Sequence, residues 1–132
     1  QAPYFMVPLA HSLVRVFPLI ALILVVAVAG GCSSASKQRQ DGLASWYGPK
    51  HHGKKTASGQ PFNQYALTAA HPSLPFGTQV RVTNLANSKQ VVVSINDRGP
   101  YKGSRIIDLS RAAARKLEID GIARVRVEVL SD

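Results

Sequence analysis

The stretch Arg124-Val-Arg-Val-Glu-Val-Leu130 alternates without a break, so it can bury one face only as a β-strand. Thr78-Gln-Val-Arg-Val-Thr83 repeats that period, and Gln90-Val-Val-Val-Ser-Ile95 is largely β-branched. Between these two, Asn84-Leu-Ala-Asn-Ser-Lys89 reads as a hairpin connection. Gly42-Leu-Ala-Ser-Trp-Tyr-Gly48 alternates loosely and runs into Gly48-Pro49, which predicts a strand followed by a turn. From Pro49 to Pro61 the chain is rich in Gly, Lys, His, Thr and Ser and reads as a loop. By period alone Tyr65-Ala-Leu-Thr-Ala-Ala70 is strand or helix, and Phe76-Gly77 marks a turn. A helix is predicted over Asp108–Leu117, with Ser110 as its cap, alanines inside and basic residues in its last turn. Several short strands with one or two short helices, in about ninety residues, predict a mainly β domain, either a small barrel or a sandwich.

Ahead of that domain lies a different kind of sequence. Val16 to Ala29 is apolar throughout, about fourteen residues where a bilayer span needs about 20. That length suits the core of a signal peptide, and Arg15 and His11 precede it. The chain begins on Gln, and Met6 is the candidate initiator. The apolar run closes on Ala29-Gly30-Gly31-Cys32, which resembles a bacterial lipobox, although Ala29 stands where Leu is commoner. In such signals the Cys is lipidated and becomes the mature N-terminus. Acyl chains contribute about 0.8 kcal/mol per buried CH₂, so a multiply acylated Cys32 would be a stable membrane anchor. Ser33, by resemblance to Gram-negative sorting signals, points to the periplasmic face of the outer membrane. Residues 1–31 are thus read as a lipoprotein signal peptide, 32–41 as the lipidated Cys and a polar tether, and 42–130 as the folded domain.

A net charge of +9 favours an anionic partner. The cations are scattered, with no recognition helix and no RNA-binding aromatic motif, which argues against nucleic acid. One cysteine allows neither an intrachain disulfide nor a Cys-based zinc site. A metal site would need His51, His52 and His71. Adjacent histidines on an extended loop diverge and no carboxylate lies at ligand spacing, so no metal and no cofactor is expected.

The chemistry-bearing stretch runs from Ser94 to Ser110. A β-branched run delivers Asn96-Asp97-Arg98 to a Gly99-Pro100 turn, and Asp108 follows eleven positions after Asp97. Two carboxylates at the ends of regular elements are candidates for acid–base work. The plainer alternative makes Asp97 a turn former and Asp108 a helix cap.

Taken together, Ala44-Ser45-Trp46-Tyr47-Gly48, His52-Gly53, Thr56-Ala57-Ser58-Gly59, Thr68-Ala69-Ala70-His71, Leu74-Pro75-Phe76-Gly77-Thr78, Val82-Thr83-Asn84-Leu85, Asn96-Asp97-Arg98-Gly99-Pro100 and Ile107-Asp108-Leu109-Ser110 resemble the rare lipoprotein A family. The resemblance covers Gly42 to Leu130 and implies a six-stranded double-psi β-barrel. It further implies an envelope lipoprotein that acts on peptidoglycan, as an endolytic lytic transglycosylase in cell-wall remodelling. Some family members prefer glycan strands stripped of stem peptides, and many carry a C-terminal peptidoglycan-binding repeat domain. The sequence ends at Asp132, ahead of any such domain, which leaves targeting by denuded glycan without support. By the same resemblance His71 and Asp97 fall on residues needed for cleavage. Asp108 falls on the acid position of more distant double-psi barrels. Expansins share the barrel and loosen walls without hydrolysis, so a non-catalytic wall-binding module is the alternative.

A lytic transglycosylase needs one acid that protonates the leaving oxygen and then removes a proton from the MurNAc C6 hydroxyl, whereas ordinary glycosidases use two carboxyls. Such an acid must hold its proton near neutral pH. A close Arg98 cation would favour the ionised carboxylate, so the direction of Arg98 matters for Asp97. The expected order is Asp97 first and Asp108 second, with His71 assisting, either through a hydrogen bond to Asp97 or by sharing the proton traffic. Thr56, Ser58 and Asn96 are candidates for sugar hydrogen bonds, and His52 for the groove wall. Tyr101, in the turn beside the site, is the best aromatic for stacking, with Trp46 read as core and Tyr47 and Tyr65 left open. The expected partners are peptidoglycan glycan strands and, through Cys32, a membrane, with the protein acting as a monomer.

Overall fold

The computed structural model describes residues 37–131. Six strands close into a barrel: β1 (Arg39–Trp46), β2 (Thr68–Ala70), β3 (Gln79–Asn84), β4 (Gln90–Asp97), β5 (Arg105–Leu109) and β6 (Ala123–Ser131). Around the barrel the order is β1-β5-β2-β4-β3-β6, and β6 pairs back onto β1. The β1/β5 and β2/β4 pairs are parallel and the other four are antiparallel. Closure leaves the sheet without a free edge.

Alternation places the core. Val80 and Val82 of β3, Val93 and Ile95 of β4, Ile107 and Leu109 of β5, and Val125 and Val127 of β6 are buried, while Arg81, Thr83 and Arg126 point outward. The β3–β4 connection is a hairpin whose asparagines supply the turn bonds: Asn84 Oδ1 accepts from Ala86 N at 3.0 Å and Asn87 Oδ1 from Lys89 N at 2.9 Å. One α-helix, α1 (Arg111–Lys116), and a 3₁₀ turn at Pro49–His51 complete the elements. Six residues cannot sustain a helix alone. Here Ser110 Oγ caps it by accepting from Ala113 N at 3.2 Å, and Ala113, Ala114 and Leu117 sink into the barrel core. Asn84 Nδ2 closes the helix end on the Leu117 carbonyl at 2.9 Å.

Three boundaries differ from the sequence reading. β1 starts at Arg39, three residues ahead of Gly42, because Arg39, Gln40 and Asp41 pair with Glu128, Val127 and Arg126 of β6. Arg126 also grips the Asp41 carboxylate through Nε and Nη2, both at 2.9 Å. β4 extends past Ile95 to carry Asn96 and Asp97 within the strand. The helix begins after Ser110, not at Asp108; Asp108 lies inside β5, paired to Ser45 on one side and Ala70 on the other, so it caps nothing. Cys32, the signal segment and the tether as far as residue 36 lie outside the described residues.

Candidate active site

The barrel brings the two aspartates into one row. Asp97 of β4 pairs with Ala70 of β2, Ala70 with Asp108 of β5, and Asp108 with Ser45 of β1. Directly paired residues share a face, so both carboxylates stand on one surface with the small Ala70 between them. Two strand spacings put their Cα atoms about 9.5 Å apart.

Asp97 is held on both oxygens. Oδ1 accepts from Ala57 N at 2.8 Å and Arg98 N at 2.9 Å, and Oδ2 accepts from the Tyr47 hydroxyl at 2.8 Å. The loop that supplies Ala57 is itself ordered: Ser58 N donates to the Asn96 carbonyl at 3.2 Å, and Thr56 Oγ1 donates to the Gln60 carbonyl at 2.6 Å and lies 3.0 Å from Ser58 Oγ. Gly99 has φ +111°, a conformation open to glycine and strained for other residues, and it turns the chain away directly after Arg98. Arg98 sends its guanidinium away from Asp97. Nη1 donates to the Leu74 carbonyl at 2.7 Å and the His71 carbonyl at 3.3 Å, and the carbon of the group sits 4.1 Å from the Phe76 ring centre. The cation next in sequence to Asp97 is thus spent on the neighbouring loop.

Tyr47 is the residue that the sequence reading left without a role in acid chemistry. It follows Trp46, so its side chain projects to the opposite face, over the aspartate row, and its ring packs edge-on against Phe62 with centres 4.7 Å apart. Burial first, then the hydrogen bond to Asp97 and that residue's charge, push the phenol well above its ordinary value. Tyr47 therefore keeps its proton and acts as a donor. Fifty residues separate it from Asp97, so only the barrel reveals the pair. Trp46 turns the other way, with Nε1 donating to the Asp120 carbonyl at 3.2 Å and its ring packed on the core.

Asp108 has its own partners, also absent from the sequence reading. Ser45 Oγ donates to Asp108 Oδ1 at 2.5 Å, and Arg105 Nη1 reaches Ser45 Oγ at 2.6 Å and Asp108 Oδ1 at 3.3 Å. Asp108 is thus half of an ion pair inside the row, while Asp97 is bound by neutral donors only.

His71 is placed differently from the expectation. Its backbone N–H donates to the Asp97 carbonyl at 3.2 Å, but its ring does not touch the Asp97 carboxylate. The ring is buried, and Nδ1 accepts from the backbone N–H groups of Ser73 and Leu74, each at 3.1 Å. Two donors on Nδ1 require the tautomer protonated on Nε2, which lies 3.2 Å from Gln40 Oε1. Burial, and then the Arg98 cation, hold the imidazole below its ordinary value. His71 and Arg98 together brace the loop from His71 to Phe76.

Of the remaining candidates, Thr56, Ser58 and Asn96 gather at the end of β4. A groove of about 340 Å³ opens there, lined by Ser58, Gln60, Phe76, Gly77, Ser94, Ile95 and Asn96. Asp97, the next residue along β4, stands at its side. Tyr101 is 76% exposed in the β4–β5 loop and close enough to Tyr47 to perturb its hydroxyl. His52 is not brought to the aspartates: its Nδ1 accepts from Gln64 N at 3.2 Å and its ring meets Tyr65 edge-on at 5.6 Å. Among the described residues no three His, Cys, Asp or Glu side chains are grouped to hold a metal ion.

Residues 39–129 match the family model described as lytic transglycolase, of double-psi β-barrel type. The chain is 50% identical over 119 residues to the probable endolytic peptidoglycan transglycosylase RlpA of Synechocystis, covering 86% of this chain and 37% of that protein. It is 56% identical over 92 residues to the endolytic peptidoglycan transglycosylase RlpA of Campylobacter jejuni, covering 68% and 34%. The chain therefore spans about a third of the length of the curated relatives it matches. Among solved structures, an expansin of Clavibacter michiganensis in complex with cellohexaose superposes with a TM-score of 0.57 at 19% identity, over 72% of this chain and 52% of that one, which shows a shared fold. With the barrel, the aspartate row and these matches in hand, the chain belongs to the RlpA family of double-psi β-barrel lytic transglycolases.

Proposed function

We propose that this protein is an endolytic peptidoglycan lytic transglycosylase that cleaves the β-1,4 bond from MurNAc to GlcNAc and leaves a 1,6-anhydroMurNAc end. The observation that carries this reading is the environment of Asp97: a carboxyl fixed by Tyr47, Ala57 and Arg98 at the side of a sugar-sized groove, with its neighbouring cation turned away. Both Oδ1 bonds come from backbone, so Oδ2, which Tyr47 engages at one lone pair, is the oxygen that exchanges a proton with substrate through the other. The protonated Asp97 gives its proton to the glycosidic oxygen as the C1–O4 bond breaks and positive charge develops on the MurNAc ring. The C6 hydroxyl oxygen then bonds to C1, and its proton returns to Asp97. No water is consumed, which is why one acid suffices. Asp108, kept in its pair with Arg105 and Ser45, lies across Ala70 where a negative group favours the developing cation. His71 acts through the loop it braces, and Thr56, Ser58, Asn96 and Tyr101 border the substrate path.

The same reading makes the protein a lipoprotein anchored through acylated Cys32 at the periplasmic face of the outer membrane and acting as a monomer. The small residues before the sole cysteine and the apolar run ahead of them support it. Replacing Cys32 by Ala would move the protein to the soluble envelope fraction; continued membrane association would refute the anchor.

Digestion of purified sacculi, with soluble products examined by mass spectrometry, tests the activity. Anhydro-ended fragments from the parent protein and none from Asp97→Asn are the expected pair. Reducing-end products would mean hydrolysis. The expansin-like alternative has the shared barrel in its favour, and binding to sacculi with no released product would establish it.

A further inference from the structure

A second pocket opens beside α1. It measures about 210 Å³ and is lined by Trp46, Arg111, Ala114, Arg115, Ile119 and Asp120. None of these residues belongs to the aspartate row or to the groove at the end of β4. Trp46 leaves β1 on the face opposite Tyr47, so the pocket is separate from the site of Asp97.

Its frame is fixed. Ala114 and Ile119 are 2% and 5% exposed and form the apolar floor. The helix ends there in a Schellman turn: Glu118 has φ +56°, its N–H donates to the Arg115 carbonyl at 3.1 Å, and Ile119 N donates to the Ala114 carbonyl at 2.9 Å. That turn carries Asp120 alongside the helix. The half-buried Trp46 ring is the wall, packed on the core and tied by Nε1 to the Asp120 carbonyl at 3.2 Å.

The charged groups are left without partners. Arg111 and Arg115 stand one turn apart on the same face of α1. Elsewhere the chain pairs its arginines: Arg126 with Asp41, Arg105 with Asp108 and Arg81 with Glu128. Among the described residues neither Arg111 nor Arg115 has such a pair, and neither does the Asp120 carboxylate. Two guanidinium groups suit a carboxylate. One carboxylate suits an ammonium. An indole face suits aliphatic carbon and also favours a cation above it. A ligand with a carboxylate alone would meet Asp120, and one with an ammonium alone would meet two arginines. A group that carries both charges on one carbon matches all three. The volume is below the ~300 Å³ at which ligand pockets for larger molecules begin, which fits an end group and not a sugar ring.

We propose that the Trp46–Arg111–Arg115–Asp120 pocket binds the zwitterionic end of an amino acid, its carboxylate on the arginines, its ammonium on Asp120 and its methylenes on the indole. In a cell wall such an end is presented by a stem peptide whose diaminopimelate is not cross-linked. The wall as source rests on the peptidoglycan reading above; the chemistry of the pocket does not. Bound there, a stem peptide would hold the protein on the wall at a point away from Asp97.

Trp46 is the sole tryptophan of the chain, so its emission reports on this pocket directly. The full chain is titrated with γ-D-glutamyl-meso-diaminopimelate, followed by Trp46 emission and by calorimetry. Saturable binding is expected. The lysine counterpart, which lacks the terminal carboxylate, and the 2-aminopimelate counterpart, which lacks the terminal ammonium, should each bind about tenfold more weakly. Arg111→Gln and Arg115→Gln keep good helix formers and should each bring diaminopimelate binding down to the level of the lysine counterpart. Asp120→Asn should abolish the preference over 2-aminopimelate. Raised salt should weaken all of these contacts, because the pocket is open to solvent. No heat and no emission change, equal binding of the three peptides, or undiminished binding by the folded variants would overturn the proposal. Free diaminopimelate binding as tightly as the dipeptide would make a soluble amino acid the source of the zwitterion; tighter binding of the dipeptide would make it the wall. Failure of the enzymatic reading is separable, since no turnover enters the titration, and Arg115→Gln should release anhydro-sugars from peptide-free glycan at the parent rate.

Discussion

Replacing His71 separates a chemical role from a mechanical one. The ring accepts two backbone hydrogen bonds, from Ser73 N and from the buried Leu74 N. His71→Ala strands both donors. A buried donor left unmade costs about 1–3 kcal/mol and a partly exposed one less, so a loss of about 2–4 kcal/mol is expected. In a domain of this size that lowers the thermal midpoint by roughly 10–30 °C. His71→Asn should recover most of it, because an Asn carbonyl reaches the N–H groups two and three residues ahead in the same way. The pH dependence has a defined sign. The folded imidazole sits below its ordinary value of 6.5, so the unfolded chain takes up the proton first as pH falls. The stabilisation from neutral His71 is complete above about pH 6.5 and is lost as pH falls below it toward the folded value. Thermal melts between pH 8 and pH 4 should show this step in the parent and not in His71→Asn. Sacculus digestion by the same variants completes the test. A stable His71→Asn protein that releases anhydro-sugars near the parent rate supports the bracing role. A stable but inactive one would refute the reasoning and return the imidazole to the proton transfers.

Three further perturbations follow from the geometry. Tyr47→Phe removes the donor to Asp97 Oδ2 and keeps the packing on Phe62; a bond to a charged group worth about 1.5–3 kcal/mol predicts a 10- to 100-fold slower release of anhydro product with little change in the melt, and an unchanged rate would show that Tyr47 does not position the acid. Arg105→Ala frees Asp108 and Ser45; because the guanidinium is partly exposed, stability should fall by about 1 kcal/mol or less in urea unfolding, whereas Asp108→Asn, which takes the negative group out of the row, should slow product release, and a parent-like rate from Asp108→Asn would remove Asp108 from the mechanism. Gly42→Ala sets a methyl 2.6 Å from Ile106 Cγ2, a clash expected to cost about 1–3 kcal/mol in the same unfolding assay and to be relieved in part by Ile106→Ala.

Much of the fold was legible from alternation. Val80, Val82, Val125 and Val127 are core because their strands repeat every second residue, and β3, β4 and β6 emerge within a residue or two of the predicted bounds. β5 was not legible. Ile106-Ile107-Asp108-Leu109 is too short to show a period, and the alanines after it carry a helix signal that spreads backward over it. β1 beyond Gly42 was hidden because Arg39, Gln40 and Asp41 are polar, and their strand geometry comes from pairing with β6, not from burial. In the site, Asp97 and Asp108 were visible as acids at element ends. Their donors were not, since Tyr47 and Ser45 lie 50 and 63 residues away in sequence.

By itself the sequence determined which residues could be strands, which face of each strand is apolar, where Ser110 caps a helix, and the family whose motifs the chain carries. These follow from local periodicity, turn chemistry and residue order. The tertiary structure alone decided the strand order, and with it the row Asp97–Ala70–Asp108–Ser45. It also decided that Arg98 points to the Phe76 loop, that His71 braces that loop with its ring, and that an uncharged groove opens at Asn96. Each of these depends on which strands become neighbours on closing the barrel, and neighbour choice is a property of the whole sheet that no window of sequence contains.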